Sequence, residues 1–267
     1  MELNKKLNDF ADIGYILISL PHKNCIKALS SKLEDKLAQI LGESFSLKDY
    51  HHFVENDDQH IDIHLELLQF IHESQLHLEV LTENLAVFES LLGPDLDAQA
   101  EPHLRISRPR KYQDNIGFHS DIDYGNTSYE MNCVIALNKM NEEGALKVLP
   151  SSHAQRLFAT VAIENEKAPK GSKLNKLGVP YQFKKIVDES YKEEMLPIPM
   201  NCGEVLCFNL GVVHGQEVNL SEDTRWTIDV RLKNILAPTN TREGYYKPFS
   251  KSPMTLAAEK FIKHNPQ

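Results

Sequence analysis

The sequence lacks several patterns that would place a protein in a definite class. It has four cysteines, and none of them forms the C-x-x-C pair used by zinc ribbons and thiol redox proteins. It has no apolar run of about 18 residues, so we expect no membrane-spanning helix. Positive charge is also scarce, because 29 Lys and Arg stand against 38 Asp and Glu, a net charge of −9. Phosphate backbones are bound by clustered Lys and Arg, so we expect no nucleic-acid partner.

The amino terminus also lacks the pattern of a secretory signal. Its apolar stretch, Ile13–Leu20, is short and follows Asp9 and Asp12, whereas a signal peptide has a basic region before the apolar segment. Unpaired cysteines without a signal predict a cytoplasmic protein. The composition is globular, with 41% hydrophobic and 25% charged residues, and residues 1–267 are expected to form a single domain.

Helical periodicity fills most of the first hundred residues. Apolar side chains recur at steps of three and four from Ile26 to Ile40, and Gly42 follows as a cap. A second helical region runs from 59 to 92, with a break near Ser74, and ends at a Gly-Pro pair. We therefore predict a mostly helical N-terminal part at 1–100.

After residue 100 the sequence changes to short runs rich in β-branched and apolar residues, separated by turns. The predicted strands are Leu104–Ser107, Met131–Leu137, Ala145–Leu149, Glu204–Leu210 and Trp226–Leu232. Strands that follow helices in this way predict a mainly β fold with a helical annex, as a sandwich or a barrel. The β-barrel core is expected at 101–240.

A long polar stretch interrupts these strands. It runs from about Glu164 to Glu194 and carries several lysines between 167 and 185. Loops of this length are functional or disordered, so we predict a lid-like insertion at 154–200. Its lysines could contact a phosphate or a carrier protein, although a mobile surface loop is the simpler interpretation.

Three residues carry the pattern of a metal site. His119 and Asp121 are two positions apart, and on a strand such residues face the same side. A lone H-x-D pair is weak evidence, but His214, which follows the predicted strand 204–210, adds a second imidazole. Two histidines and one carboxylate form the facial triad of non-haem Fe(II) oxygenases. Zinc is the competing metal, although the H-E-x-x-H signature of hydrolytic zinc sites is absent.

The strand that returns after His214 has one apolar face and one polar face. The apolar side chains are Trp226, Ile228, Val230 and Leu232, and they alternate with Arg225, Thr227, Asp229 and Arg231. The polar face either meets water or lines the inside of a barrel that binds an anion. The spacing of 11 residues from His214 to Arg225 favours the inside, where a guanidinium can hold a carboxylate with two hydrogen bonds. Asp229 and Arg231 would then neutralise each other.

In order and spacing, these blocks resemble the phytanoyl-CoA dioxygenase-like branch of the Fe(II)/2-oxoglutarate-dependent oxygenases. The matching stretches lie within about 100–235: Gly117–Asp121, Asn132–Leu137, Glu143–His153, Gly203–Phe208, His214–Gly215 and Asn219–Arg231. The resemblance implies a double-stranded β-helix, a jelly-roll or cupin-like barrel that is preceded and backed by α-helices. Two positions depart from the family pattern: Val134 stands where Trp is frequent, and Ser151 replaces the glycine of a P-G-S-H turn.

The resemblance also implies the ligand set. His119, Asp121 and His214 would bind Fe(II). Arg225 would bind the distal carboxylate of 2-oxoglutarate, and Asn132 would add a polar contact to this co-substrate. The expected activity is that of a dioxygenase that uses Fe(II), 2-oxoglutarate and O2, hydroxylates a small polar metabolite, and releases succinate and CO2. The carboxylate of Asp121 favours hydroxylation over halogenation, because related halogenases have a small residue there.

Residues outside the ligand set have weaker signals. Arg108, Tyr124 and Arg231 are candidates for contacts with the substrate, although solvated charge and barrel packing explain the first two equally well. Six histidines are interpreted as surface residues of the helical part: His51, His52, His60, His64, His72 and His77.

Two other functions compete with the oxygenase. One is a non-redox cupin-like protein that binds a metal or modifies a sugar, and the presence of Arg225 opposes it. The other is a barrel that has lost catalysis, which the complete triad opposes. A homodimer is the default expectation for the assembly.

Overall fold

A computed structural model of the protein describes residues 2–154, 159–164, 173, 177 and 182–265. The helices of this part are α1 (Glu2–Ile13), α2 (Asn24–Leu41), α3 (Asp57–Ser74), α4 (Leu76–Glu83), α5 (Leu85–Leu92) and α6 (Pro253–His264). No helix among the described residues combines the length and the apolar character that crossing a membrane requires.

The strands form antiparallel sheets. They are β1 (Tyr15–Ser19), β2 (Leu96–Gln99), β3 (His103–Ser107), β4 (Glu130–Ala136), β5 (Leu146–Val148), β6 (Thr160–Glu164), β7 (Gln182–Ile186), β8 (Leu196–Ile198), β9 (Glu204–Asn209), β10 (His214–Gly215), β11 (Arg225–Asn234) and β12 (Tyr246–Ser250). Within the described residues, the large sheet has seven strands in the order β1-β9-β4-β11-β2-β12, with β3 also paired to β11. The small sheet has the order β10-β5-β8, and β6 pairs with β7. The predicted mainly β fold with helices is confirmed at this level.

Helices α2, α3, α4 and α5 share a hydrophobic core with one face of the large sheet. As the periodicity predicts, α2 ends at Gly42, which has φ 79° and donates its N–H to the carbonyl oxygen of Ala38. The apolar face of β11 is fully buried in the same core as the inner faces of α2, α3 and α4. Trp226 anchors this contact, since its Nε1 donates to the carbonyl oxygen of Leu47 at 2.7 Å. Because helices cover one face of β11, its polar face must point to the other side of the sheet.

Strand β1 joins the helical part to the sheet, although the sequence pattern did not predict it. It pairs antiparallel with β9, from Tyr15 opposite Phe208 to Ser19 opposite Glu204. β2 also lies within 1–100 and pairs with β11. The N-terminal part and the strands that follow residue 100 therefore share one hydrophobic core.

The turn before His153 is strained at the position where the family pattern has glycine. Ser151 has φ 61°, in the left-handed region. Its N–H donates to the carbonyl oxygen of Ile13 at 2.8 Å, and its hydroxyl donates to that of Asp12 at 3.0 Å. These two hydrogen bonds to the end of α1 offset a strain of about 1–2 kcal/mol.

The predicted insertion at 154–200 is described in part. β6 and β7 form a two-stranded ribbon, a 3-10 helix occupies Ser190–Glu194, and β8 belongs to the small sheet. The polar stretch 164–194 therefore contains regular structure where it is described. Lys167, Lys170 and Lys176 lie outside the described residues, so both alternatives for these lysines, a mobile surface loop or a contact with a phosphate or carrier protein, fall outside them too.

Replacing Gly14 with alanine is expected to destabilise the protein by about 2–4 kcal/mol, from left-handed strain and overpacking together. Gly14 has φ +86°, and a Cβ here would lie 2.4 Å from His153 Nδ1 and 2.6 Å from Val212 Cγ2. Gly42 is the matched control, because its φ is +79° but a Cβ would meet no atom within 4 Å. Gly42→Ala should therefore cost only about 1 kcal/mol. Urea unfolding of both variants measures the difference, and equal losses would contradict the packing argument.

Candidate active site

The structure brings the three predicted metal ligands together in a buried cluster. His214 begins β10, and its backbone exchanges two hydrogen bonds with that of His119, at 2.9 and 3.0 Å. Asp121 begins a short 3-10 helix, Asp121–Tyr124. One candidate ligand atom from each of the three side chains lies within 4.8 Å of the other two. The residues are only 7%, 4% and 6% exposed for His119, Asp121 and His214.

The H-x-D segment is not the strand that the sequence predicted. His119 forms a single bridge with His214, outside the named strands, and the chain turns into the 3-10 helix at Asp121. Ser120, between them, is extended, with φ −114° and ψ 135°. One extended residue is enough to direct both neighbouring side chains to the same side. The distance from His119 Nε2 to Asp121 Oδ1 is 3.6 Å.

Backbone carbonyls orient both histidine rings. His119 Nδ1 donates to the carbonyl oxygen of Gly117 at 2.8 Å, and His214 Nδ1 donates to that of Val212 at 2.9 Å. A carbonyl only accepts, so each Nδ1 carries a proton and each Nε2 is the ring nitrogen left for a metal. Burial, with His119 nearby, lowers the pKa of His214 to about 4. This imidazole is therefore neutral at pH 7, as a metal ligand must be.

Asp121 is ionised because Arg231 faces it. Arg231 Nη2 lies 3.0 Å from Asp121 Oδ2, and the two side chains form an ion pair. Burial opposes ionisation, but the Arg231 guanidinium together with the two histidines holds the pKa of the Asp121 carboxyl well below its usual range. The predicted pairing of Arg231 with Asp229 is wrong, since Asp229 accepts from Arg105 Nε at 3.2 Å.

The polar face of β11 lines a cavity of about 500 Å³ that contains the triad. Arg225, Thr227, Asp229 and Arg231 all line this cavity. Of the two alternatives for this face, water or the lining of an internal site, the structure shows a cavity lining, because helices occupy the opposite face of the strand. A second cavity of about 450 Å³ meets the triad on the side of Tyr124.

Several buried polar atoms in the larger cavity lack a hydrogen-bond partner. Apart from Asp121 Oδ2, which faces Arg231, they are Nε and Nη1 of Arg225, Oδ1 of Asn132 and Oε1 of Gln216. Arg225 Nη2 donates to Asn115 Oδ1 at 3.3 Å, and burial lowers the pKa of Arg225 to about 10. An unpaired buried polar atom costs about 1–3 kcal/mol. Their concentration beside the triad indicates a polar ligand with a negative charge for Arg225.

The other predicted substrate residues lie further from this centre. Arg108 lines the cavity, but its guanidinium donates to both oxygens of Asp114 at 2.8 Å and to Asp57 Oδ1 at 2.9 Å. Tyr124 is 37% exposed and presents its ring edge-on to His119, with centroids 5.6 Å apart. The structure therefore brings Asn132, Arg225 and Arg231 to the cavity of the triad, places Tyr124 beside it, and leaves Arg108 paired at its wall.

The prediction that the helical histidines lie on the surface is wrong for three of them, His60, His64 and His77. His60 and His64 are 4% and 6% exposed and line the larger cavity. His64 Nε2 donates to the carbonyl oxygen of Leu104 at 2.8 Å, and His60 Nδ1 lies 3.0 Å from Tyr50 Oη. One signal in the sequence could have found them, because they continue the apolar stripe of α3: Ile63, Leu67 and Ile71.

Mild acid is expected to destabilise the protein because these histidines are buried in the neutral form. Burial lowers the pKa to about 3 for His60 and His64 and to about 4 for His77. Unfolded histidine has a pKa of about 6.5, so below this pH the unfolded chain binds protons that the folded chain does not. The stabilisation is complete above pH 6.5 and falls by about 2 kcal/mol for each histidine at pH 5.

Urea unfolding at pH 7 and pH 5 measures this loss. His77→Leu serves as the matched variant, because His77 lies in α4 and outside the cavity. It should shrink the difference between the two pH values by about 2 kcal/mol. An unchanged difference would show that His77 does not contribute to the acid sensitivity.

Comparisons with known proteins identify a family by sequence and a shared fold by structure. The sequence profile of the family phytanoyl-CoA dioxygenase (PhyH) matches residues 28–227. A similar solved structure is the apo form of the non-haem monooxygenase ThoJ, with 12% identity and a TM-score of 0.56 over 92% of this chain and 84% of that chain. At this identity the likeness shows the fold alone. No curated protein sequence matches the chain.

Two further structures share the fold, again at low identity. The epimerase SnoN, in complex with Fe3+, alpha ketoglutarate and nogalamycin RO, has 10% identity and a TM-score of 0.55 over 93% of this chain and 98% of its own. The alpha-ketoglutarate-dependent carbocyclase SnoK from nogalamycin biosynthesis has 16% identity and a TM-score of 0.52 over 91% and 95%. One fold therefore serves monooxygenase, epimerase and carbocyclase reactions, so the fold does not select the outcome.

Proposed function

The chain belongs to the phytanoyl-CoA dioxygenase family, and on this premise we propose that it is a 2-oxoglutarate-dependent dioxygenase that binds Fe(II) through His119, Asp121 and His214. Family membership supports an oxygenase-type enzyme with Fe(II), 2-oxoglutarate and O2. One observation carries the proposal: Arg225, a buried guanidinium with two unpaired nitrogens, lies in the cavity of the triad.

The triad has the donor set that Fe(II) accepts. Two imidazoles oriented through Nδ1 and one ionised carboxylate provide three ligands, and an octahedral ion keeps three further positions. A non-redox cupin-like protein that binds only a metal would have no anionic ligand to neutralise the buried Arg225. The arginine therefore favours the oxygenase over that alternative.

The surroundings of Arg225 fit a dicarboxylate. The guanidinium would hold the distal carboxylate of 2-oxoglutarate, and Asn132 on β4 would offer a polar contact nearer the triad. Val134, Met140 and Leu146 line the same cavity, so they could cover the methylene groups of the co-substrate. Binding would supply the missing partners of Arg225 and neutralise its charge.

The charges of the cavity favour a substrate that is polar but uncharged. Three of its arginines already have carboxylate partners: Arg105 with Asp229, Arg108 with Asp114 and Arg231 with Asp121. Among the described residues that line the cavity, Arg225 is the guanidinium for which no carboxylate lies within 4.0 Å. If 2-oxoglutarate neutralises Arg225, no unpaired arginine remains for an anionic substrate. We therefore infer the oxidation of a small polar metabolite, and amides such as Gln216 would bind it.

The residues have distinct tasks in the proposed reaction. Bound Fe(II) and 2-oxoglutarate would supply, with O2, the oxidation that hydroxylates the substrate and releases succinate and CO2. His119, Asp121 and His214 would hold the metal on one side, while Arg225 would orient the co-substrate. The buried walls of the cavity would exclude water. The carboxylate at Asp121 supports hydroxylation, because it occupies the place that halogenases leave for halide.

Ligands from both sheets support the proposal of a double-stranded β-helix. His214 belongs to the small sheet, whereas Asn132 and Arg225 belong to the large sheet. We propose that these are the two sheets of the barrel, that 1–267 is one catalytic domain with its barrel core at 101–240, and that 154–200 acts as a lid.

An anaerobic titration with Fe(II) and then 2-oxoglutarate tests the function. The expected result is a visible charge-transfer band that appears only when both are present. Succinate is the matched control, because it has both carboxylates but lacks the keto oxygen needed for chelation. If the folded protein binds Fe(II) but 2-oxoglutarate produces no band, the oxygenase proposal fails.

A further inference from the structure

The two oxygens of the Asp121 carboxylate have different surroundings. Oδ1 faces His119 Nε2 at 3.6 Å, on the side of the triad. Oδ2 faces Arg231 Nη2 at 3.0 Å. The side chain of Asp121 is buried, at 6% exposure, and that of Arg231 is mostly enclosed, at 15%, so water screens this ion pair little. The carboxylate therefore has one oxygen directed at the triad and one held by charge.

Arg231 is itself held on several sides. Its Nη1 donates to Tyr245 Oη at 2.6 Å and to Asn126 Oδ1 at 3.4 Å. Its backbone N–H donates to Gln99 Oε1 at 3.0 Å, and in the sheet it stands opposite Asn132 of β4. A guanidinium fixed in this way cannot swing toward a substrate without breaking these contacts. Arg231 is therefore a poor candidate for direct contact with the substrate.

We propose that Arg231 is a positioning residue that makes Asp121 present Oδ1 alone to the metal. The proposal rests on the proposed metal site and not on the identity of the substrate. Three protein ligands on an octahedral ion leave three positions, and 2-oxoglutarate needs two of them and O2 the third. A carboxylate that was free to rotate could offer both oxygens and occupy one of these positions. By holding Oδ2, Arg231 keeps that position open.

Tyr245 extends the proposal to the segment after β11. Its hydroxyl accepts from Nη1 of Arg231, whereas Nη2 of the same guanidinium faces Asp121, and Tyr245 lines the second cavity together with Arg231 and Asn126. Removing that hydroxyl should loosen Arg231 without removing its charge. Tyr245→Phe is therefore expected to have a smaller effect of the same kind as a change at Arg231.

Co(II) binding to the metal-free protein tests the proposal without any catalytic assay. Arg231→Gln should weaken Co(II) binding by about 10–100-fold, as changes next to metal ligands do. It should also change the visible d–d bands, because a second carboxylate oxygen would take one of the three open positions and displace a water ligand from it. Arg231→Lys should restore most of the affinity and the wild-type spectrum. Arg105→Gln is the matched control: Arg105 lines the same cavity but pairs with Asp229, so this variant should bind Co(II) like the wild type.

Several outcomes would overturn the role of Arg231. They are equal or tighter Co(II) binding by Arg231→Gln, an unchanged spectrum, or an equal loss in Arg105→Gln. A lower urea midpoint of the metal-free protein with unchanged Co(II) affinity would assign Arg231 to folding alone. If Arg231→Gln does not fold, Tyr245→Phe decides, and an unchanged spectrum in that variant contradicts the proposal. Failure of the proposed function looks different, because then the wild-type protein itself binds no Co(II) or gives no band with Fe(II) and 2-oxoglutarate.

Discussion

Replacing His214 with alanine is expected to abolish iron-dependent turnover of 2-oxoglutarate, with a loss of more than about 100-fold. Changes in residues that only support metal ligands already cost about 10–100-fold, and His214 is proposed as a ligand itself. Its Nδ1 donates to the carbonyl oxygen of Val212, so Nε2 is the ring nitrogen that remains for the metal. Fe(II) affinity and succinate formation measure the effect.

The control for His214 is an imidazole far from the cavity. His22 is exposed and lies before α2, so His22→Ala should keep both Fe(II) affinity and turnover. The control separates the loss of the site from the loss of adventitious binding to surface histidines. Residues that only support metal ligands already cost about 10–100-fold when they are replaced. If turnover by His214→Ala stayed within about 10-fold of the wild type, the assignment of His214 as a ligand would be refuted.

Replacing Arg225 with methionine is expected to weaken 2-oxoglutarate binding by about 100- to 1,000-fold. Truncating one partner of a buried, hydrogen-bonded charge pair costs about 2–5 kcal/mol, and this loss corresponds to about 3–4 kcal/mol. Methionine keeps much of the apolar stem but removes the guanidinium. Fe(II) binding should be unchanged, since Arg225 contacts none of the three ligands in the described structure. Titration of the charge-transfer band with 2-oxoglutarate measures the affinity.

The same substitution is expected to stabilise the metal-free protein. Burial lowers the pKa of Arg225 from 12.5 to about 10, and at about 1.4 kcal/mol per pKa unit the buried charge costs about 3 kcal/mol at most. Arg225 is charged in both the folded and the unfolded state at pH 7, so the cost is fully present there. It is relieved only as the pH rises above 10. Methionine removes it at neutral pH, and urea unfolding should show the gain.

Arg105→Met provides the opposite case in the same cavity. Arg105 is paired with Asp229, so its removal leaves a carboxylate without its partner and should destabilise the metal-free protein. It should also leave the affinity for 2-oxoglutarate unchanged. Wild-type co-substrate affinity in Arg225→Met would remove the main support for the proposed function.

Local patterns predicted the parts of the fold in which one period governs many residues. The steps of three and four from Ile26 to Ile40 gave α2, and Gly42 ended it because a left-handed residue closes the helix. The alternation in β11 separated a face that packs on helices from a face that lines the cavity. These predictions succeed because period and burial repeat along one element.

Where the sequence prediction failed, the partner of a residue lies far away in the chain. His60 and His64 were placed on the surface, although their face of α3 packs against β3. The strand β1 was missed because its partner, β9, lies about 190 residues later. Regular pairing between distant segments leaves little trace in either segment alone.

By itself, the sequence determined which chemistry is available: two imidazoles, a carboxylate and an arginine at spacings typical of one family. Only the tertiary structure decided which charge meets which. Arg231 faces Asp121, more than a hundred residues away, and Asp229 faces Arg105, while Arg225 has no carboxylate partner among the described residues. The reason is physical, because the free energy of a buried charge depends on its nearest counter-ion in space. The sheet register and the turn after His119 determine which counter-ion lies nearest to each buried charge, and no local sequence pattern contains this information.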